Sequence, residues 1–322
     1  MLRTASLALA RRHLASSASA PARIADLVAL RAVEGADDLA LVVPETDVRW
    51  TYGELVDRAR CFASGLSEMG YAPGQRLGAR LDNSEHLLVA LLGAALTGAD
   101  VETAKTAELL AAVRCRGTIV RHEDAAAAGA MVGQHEPIAV GGGAITDPIV
   151  HYDILIEAFR GKEPPPLPVD GARSSYYFST RRAATEEALL ANAAAAAEAL
   201  DMRRGVDKLC VSVPLAHAMG FGFGALAAMR AGAAVVLPSL AGGPERAAEA
   251  TARAMIDEKC ALMLADSHTL KALPGGLDTP PEGMEAFRGG LTKVGSGDAV
   301  GLGEPRMWAG VPFHTVGEPP AP

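Results

Sequence analysis

Few side chains in this sequence have the type and spacing to do chemistry, and His217 is the foremost. It lies in Val213-Pro214-Leu215-Ala216-His217-Ala218-Met219-Gly220, an otherwise apolar run. Imidazole titrates near neutrality, so this ring could serve as an acid, a base or a ligand contact. A His-Ala-Met-Gly turn can equally satisfy the ring with backbone hydrogen bonds, and that structural role stays open. Ser212 and Asp207 flank it, and the three types together would suit a hydrolytic triad. No Gly-x-Ser-x-Gly elbow surrounds Ser212, so hydrolysis is not expected.

The second chemical candidate is Tyr176-Tyr177-Phe178-Ser179-Thr180-Arg181-Arg182-Ala183-Ala184-Thr185-Glu186-Glu187. Arg181 and Arg182 could supply charge to a phosphate. A phosphate cradle also needs backbone N–H groups that approach closely, which glycine permits. This stretch has no glycine, and Glu186 and Glu187 would repel the anion. Both acids suit the first turn of a helix, where the dipole favours negative charge, with Ser179 or Thr180 as the cap. Gly141-Gly142-Gly143 and Gly295-Ser296-Gly297 lack the GxGxxG spacing between strand and helix and read as surface loops. Arg121, His122 and Glu123 read as a solvated strand end. Cys61, Cys115, Cys210 and Cys260 are isolated singles, so neither a zinc site nor a disulfide framework is expected; buried free thiols are.

The elements that position these residues alternate between helical and strand patterns. Thr51 and Glu54 form a capping box before a helix carrying Leu55, Ala59, Phe62 and Leu66, and Gly70 ends it. Arg76–Leu81 predicts a strand, and Ser84 caps a helix running to Leu96 and stopped by Gly98. Further strands are expected near Val101, Gly117–Arg121, Ser174–Phe178, Leu209–Val213, Ala233–Leu237 and Ala261–Ala265. Helices are expected at Glu108–Arg114, Ala183–Met202, Ala225–Met229 and Arg246–Lys259. Gly129–Thr146 and the tail from Pro274 read as irregular. The pattern is that of an α/β protein with a mainly parallel sheet. Four prolines in 161–168 suggest a linker, which gives a first α/β subdomain at 25–160, a linker at 161–173 and a second subdomain at 174–322.

The chain has 322 residues, 49% hydrophobic and 21% charged, and a net charge of -8. That suits a globular protein with a sizeable core and argues against a nucleic-acid surface. The longest apolar run, Leu87–Leu96, is about half of the roughly 20 residues that a bilayer requires, so no transmembrane segment is expected. Residues 1–24 carry Arg3, Arg11, Arg12 and Arg23 among Leu, Ala and Ser, with no acid before Asp26. This predicts a mitochondrial transit peptide, with a chloroplast address as the alternative.

Five segments, in order, resemble the N-terminal domain of the AMP-binding superfamily, which includes the acyl-CoA synthetases and other adenylate-forming enzymes. They are Trp50-Thr51-Tyr52-Gly53-Glu54-Leu55 through Arg76; Asp82-Asn83-Ser84-Glu85 with Ala94–Ala99; Leu189–Ala193; Val213–Gly220 with Ala231–Leu237; and Lys293-Val294-Gly295-Ser296-Gly297-Asp298-Ala299. The resemblance implies an acyl-CoA-synthetase-like fold, truncated, with parallel sheets flanked by helices. It places a vestigial acyl pocket at His217, Gly220 and Gly295. It also exposes departures. The family's glycine- and threonine-rich phosphate loop, ending in Pro-Lys-Gly, falls where this chain has Ser179–Glu187. The family's Tyr-Gly-x-Thr-Glu motif for adenine and magnesium aligns with Val316-Gly317-Glu318-Pro319-Pro320, where the glycine alone agrees. The catalytic lysine of the family's C-terminal domain has no counterpart before Pro322.

Those departures predict a pseudoenzyme with no cofactor and no metal, since nothing would stabilise the charge on a transferred adenylate. The expected role is an accessory subunit of a mitochondrial complex, of the respiratory-chain or ATP-synthase kind. A shortened domain should also expose apolar surface that a partner covers. The alternatives are a protein that binds an acyl or CoA ligand without ATP chemistry, and an adenylating enzyme completed by a partner chain.

Overall fold

The computed structural model describes residues 21–104, 115–132, 137–144, 148–167, 173–178, 183–274, 282–293, 302–308 and 310–317. The expected helix at Glu108–Arg114, Arg181 and Arg182, Gly295 and most of the expected leader lie outside these residues. Ile24, the last residue of that leader, is fully buried and begins helix α1 (Ile24–Val33).

Strands β1 (Leu39–Val43) and β2 (Val48–Thr51) lead into α2 (Tyr52–Glu68). The capping box forms as expected. The Thr51 hydroxyl accepts from the Glu54 N–H, and the Glu54 carboxylate accepts from the Thr51 N–H at 2.8 Å. Gly70, at φ 80°, follows the last turn. Strand β3 (Arg76–Arg80) is followed by α3 (Glu85–Thr97), capped by Ser84 and closed by Gly98 at φ 71°. The apolar run within α3 is core: every residue from Leu87 to Leu92 is 0–1% exposed. Among the described residues, no helix is long and apolar enough to cross a membrane.

The chain continues through β4 (Asp100–Thr103), β5 (Gly117–Arg121), α4 (His122–Val132), β6 (Ile138–Val140), β7 (Val150–His151) and α5 (Tyr152–Ala158). Next come β8 (Ser175–Phe178), β9 (Ala183–Thr185), α6 (Glu186–Ala199) and β10 (Lys208–Ser212). A π-helix at Met219–Leu226 runs into α7 (Ala227–Ala231). Then follow β11 (Ala234–Val236), α8 (Pro244–Asp257), β12 (Leu262–Asp266), α9 (Ser267–Ala272), β13 (Gly289–Lys293), β14 (Leu302–Trp308) and β15 (Val311–Val316).

The fold class is α/β, built on two mostly parallel sheets. Among the described residues, one has the order β7-β6-β5-β3-β4-β8-β9 and the other β14-β15-β13-β12-β10-β11-β1-β2. Antiparallel pairs occur at sheet margins, as β1–β2, β8–β9 and β14–β15. The sheets draw strands from both sides of 161–173. β1 and β2 join the eight-stranded sheet through β11, with Leu41 opposite Val235. β8 joins the seven-stranded sheet through β4, with Val101 opposite Tyr176. One core cluster contains residues of both sheets, from Leu77 and Val101 to Leu209 and Leu264.

Three local expectations are corrected. α6 begins at Glu186 with Thr185 as its cap, whose hydroxyl accepts from the Ala188 N–H at 3.2 Å; Ser179 and Thr180 are not the cap. Residues 122–132, the first of which were read as a strand end and the last as an irregular segment, form helix α4. The tail holds strands β13 to β15, where no periodicity announced them. At Gly290 an added Cβ would lie 2.3 Å from the Met263 carbonyl oxygen, so a neighbouring backbone demands a glycine that a strand pattern would not contain.

Candidate functional site

Asn83, just beyond β3, clamps the loop that carries His217. Its side-chain Nδ2 donates to the Val213 carbonyl at 3.0 Å, and its Oδ1 accepts from the Leu215 N–H at 2.7 Å. The Thr103 hydroxyl, at the end of β4, lies 3.2 Å from the Ala216 carbonyl and 3.3 Å from that of Tyr177. Carboxyl ends of both sheets therefore meet at this loop.

His217 is half-buried and is oriented from both sides. Its Nδ1 accepts from the Met219 N–H at 3.0 Å, at the start of the π-helix. A neutral ring held this way carries its proton on Nε2. Nε2 lies 3.2 Å from Nζ of Lys293, the last residue of β13. An imidazole N–H and an ammonium are both donors, so an acceptor that bridges the two from one side would meet both. Gly220 is fixed by packing: a Cβ there would stand 2.2 Å from the Pro214 carbonyl oxygen. Short π-helical segments are frequent at functional sites.

The hydrolytic triad does not assemble. The Ser212 hydroxyl pairs with that of Thr251 at 2.6 Å. The fully buried Asp207 carboxylate accepts from Arg203 at 2.9 Å and from Arg288 at 2.6 Å. Burial pushes the Asp207 carboxyl up, and the hydrogen bonds from Arg203 and Arg288 outweigh it, leaving the group below the usual aspartate range.

Glu186 does something other than repel a phosphate. It is 2% exposed, and its two carboxylate oxygens accept from the backbone N–H groups of Ile24 and Ser174, each at 2.9 Å. Burial raises its pKa against the pull of those two hydrogen bonds. Glu187 is exposed. The neighbouring strands form an antiparallel pair with Tyr177 opposite Ala183. All four cysteines are buried free thiols. Among the described residues no group of three His, Cys, Asp or Glu could hold a metal ion.

Residues 29–113 match the family described as AMP-binding enzyme. The fold superposes on the N-terminal domain of FACL13 from Mycobacterium tuberculosis with a TM-score of 0.67 and 22% identity, over 85% of this chain and 70% of that one. This is the fold of an acyl-CoA-ligase N-terminal domain. It also superposes on the benzoate CoA ligase of Burkholderia xenovorans LB400, at a TM-score of 0.69 and 20% identity. That match covers 84% of this chain and 55% of the ligase. A stretch of 76 residues is 37% identical to acyl-CoA ligase sidI of Aspergillus fumigatus, covering 24% of this chain and 13% of that protein. The chain thus matches a small part of that curated protein and resembles the N-terminal domains of acyl-CoA ligases.

Two residues central to this site were not singled out in sequence. Asn83 and Lys293 both sit in segments that carry the resemblance, but a partner 76 or 130 positions away leaves no local signal.

Proposed function

We propose that this chain is an acyl-CoA-ligase-like domain that performs no adenylation of its own and serves as an accessory subunit of a mitochondrial assembly. The observation that carries the first half is the β8–β9 pair. Tyr177 pairs with Ala183, and none of the five residues between them in sequence is a glycine. A triphosphate needs several backbone N–H groups turned closely towards it, which a sequence of five residues without glycine does not favour. Glu186 beside it is committed to the backbone of Ile24 and Ser174. Calorimetry with ATP and Mg²⁺ should give no binding in the millimolar range, and pyrophosphate exchange should be absent with any carboxylic acid. A micromolar ATP affinity would overturn this reading.

The accessory role rests on the Arg-rich, acid-free N-terminal composition. The exposed apolar face expected of a shortened domain lends it no support: among the described residues, the exposed large hydrophobics are Ile154, Val206 and Met307, on separate elements. Co-sedimentation with a large inner-membrane complex is the expected result, and a free monomer throughout the gradient would remove the proposal.

A second reading is favoured by His217 and Lys293. Their converging donors suit a carboxylate or phosphate oxygen, so the site would hold an acyl or CoA ligand without turning it over. Acyl-CoAs and fatty acids should raise the melting temperature of the wild-type protein and fail to do so for Lys293→Met. No shift at high ligand excess would dismiss it.

A further inference from the structure

The seven-stranded sheet has a topological switch point away from the His217 loop. β3 leads through α3 to β4 on one side, whereas β5, on its other side, leads through α4 to β6 in the opposite direction. At such a reversal the strands' carboxyl ends leave a crevice, which in open α/β sheets is where ligands bind. This crevice holds a cavity of about 460 Å³. Its walls include Asp82 after β3, Glu85 and His86 at the start of α3, and Arg121 and Glu123 around the end of β5. Gly141 and Gly142, after β6, also line it, and a Cβ added to either would meet nothing within 4 Å.

The polar groups are unevenly matched. Glu85 is 6% exposed, and its Oε2 has no hydrogen-bond partner among the described residues. Its Oε1 has only the His86 Nδ1, at 3.5 Å. Burial pushes the His86 imidazole pKa down, so the ring is neutral and offers no compensating charge. Arg121 is shared among Glu123 at 3.4 Å, Asp82 at 3.9 Å and Asp124 at 3.9 Å. Negative charge therefore exceeds positive in the crevice, and a buried carboxylate oxygen lacks a donor, an arrangement that is costly until a donor enters.

We propose that this crevice is a binding site for a small ligand bearing a primary ammonium group, with Glu85 as its anchor and Asp82 and Glu123 as the negative rim. The site is separate from the one assigned to acyl ligands, and it stands whether or not that reading holds. The ligand supplies the N–H donors that Glu85 lacks, and the open space beside Gly141 and Gly142 accommodates its apolar part.

The test is a thermal-shift and calorimetric titration of the full chain with butylamine and putrescine, against sodium butyrate at matched ionic strength. The amines should raise the melting temperature saturably, butyrate should not, and Glu85→Gln should weaken amine binding at least tenfold. Should Glu85→Gln fail to fold, Asp82→Asn replaces it, with a several-fold loss expected. Equal stabilisation by butyrate, no saturable amine effect, or unchanged amine affinity in the folded variant would each overturn the proposal.

Discussion

At the scale of single residues, Asp207 and Glu186 are buried acids whose hydrogen bonds are structural. Asp207 accepts from Arg203 and Arg288 while fully shielded from solvent. Replacing it by Asn removes the counter-charge of two partly exposed cations, so Asp207→Asn should lower stability measurably in urea titrations. Its folded pKa is depressed, so its contribution is present above the ordinary aspartate range, near 4, and is lost as the pH falls through the folded value. Below about pH 4 the wild type should lose stability more steeply than Asp207→Asn, which acid titration of the two proteins will show. Gly220 gives a second case. The Cβ of Gly220→Ala would collide with the Pro214 carbonyl, and the change should cost about 2 kcal/mol or more, read as a fall in melting temperature. A residue that the resemblance places in an acyl pocket is thus held to glycine by its own backbone. His217 was legible as the ring to watch. Lys293 was not, because the contact that gives it meaning joins the end of β13 to the His217 loop, 76 positions away in sequence.

At the scale of elements, what was legible followed from end signals. Thr51 with Glu54, and Ser84 with Gly98, marked two helices to within a residue because caps are local hydrogen bonds between neighbours. Thr51→Ala should therefore cost about 1 kcal/mol, measured by chemical denaturation. Helix α4 escaped notice because no side-chain cap announces it and Gly129 interrupts its alanines. Strands β13 to β15 escaped for another reason. Gly289 and Gly290 open β13, and Pro305 and Pro312 lie in β14 and β15; all four are poor strand formers in isolation. Their place is set by partners across the sheet, such as Leu291 opposite Leu264 and His314. The same holds for α6, whose start moved to Thr185 because residues 183–185 are taken up in pairing with β8.

At the scale of the whole molecule, the two sheets are interleaved in sequence and share a core. Cutting the chain within 161–173 would strand β1 and β2 without β11 and remove β8 from β4. A fragment of residues 25–160 should consequently lack a cooperative transition by circular dichroism and be digested rapidly by protease. The intact chain should unfold in a single step, with fluorescence and circular dichroism curves superimposed. A stably folded 25–160 fragment would show that the sheets are independent after all.

The Glu186 carboxylate has a consequence in time as well as in space. It holds the start of α1 from a position 162 residues further along. A ribosome makes Ile24 early and Glu186 long afterwards, so the first helix has to wait for its anchor. The start of α1 is therefore without this anchor for about half of synthesis.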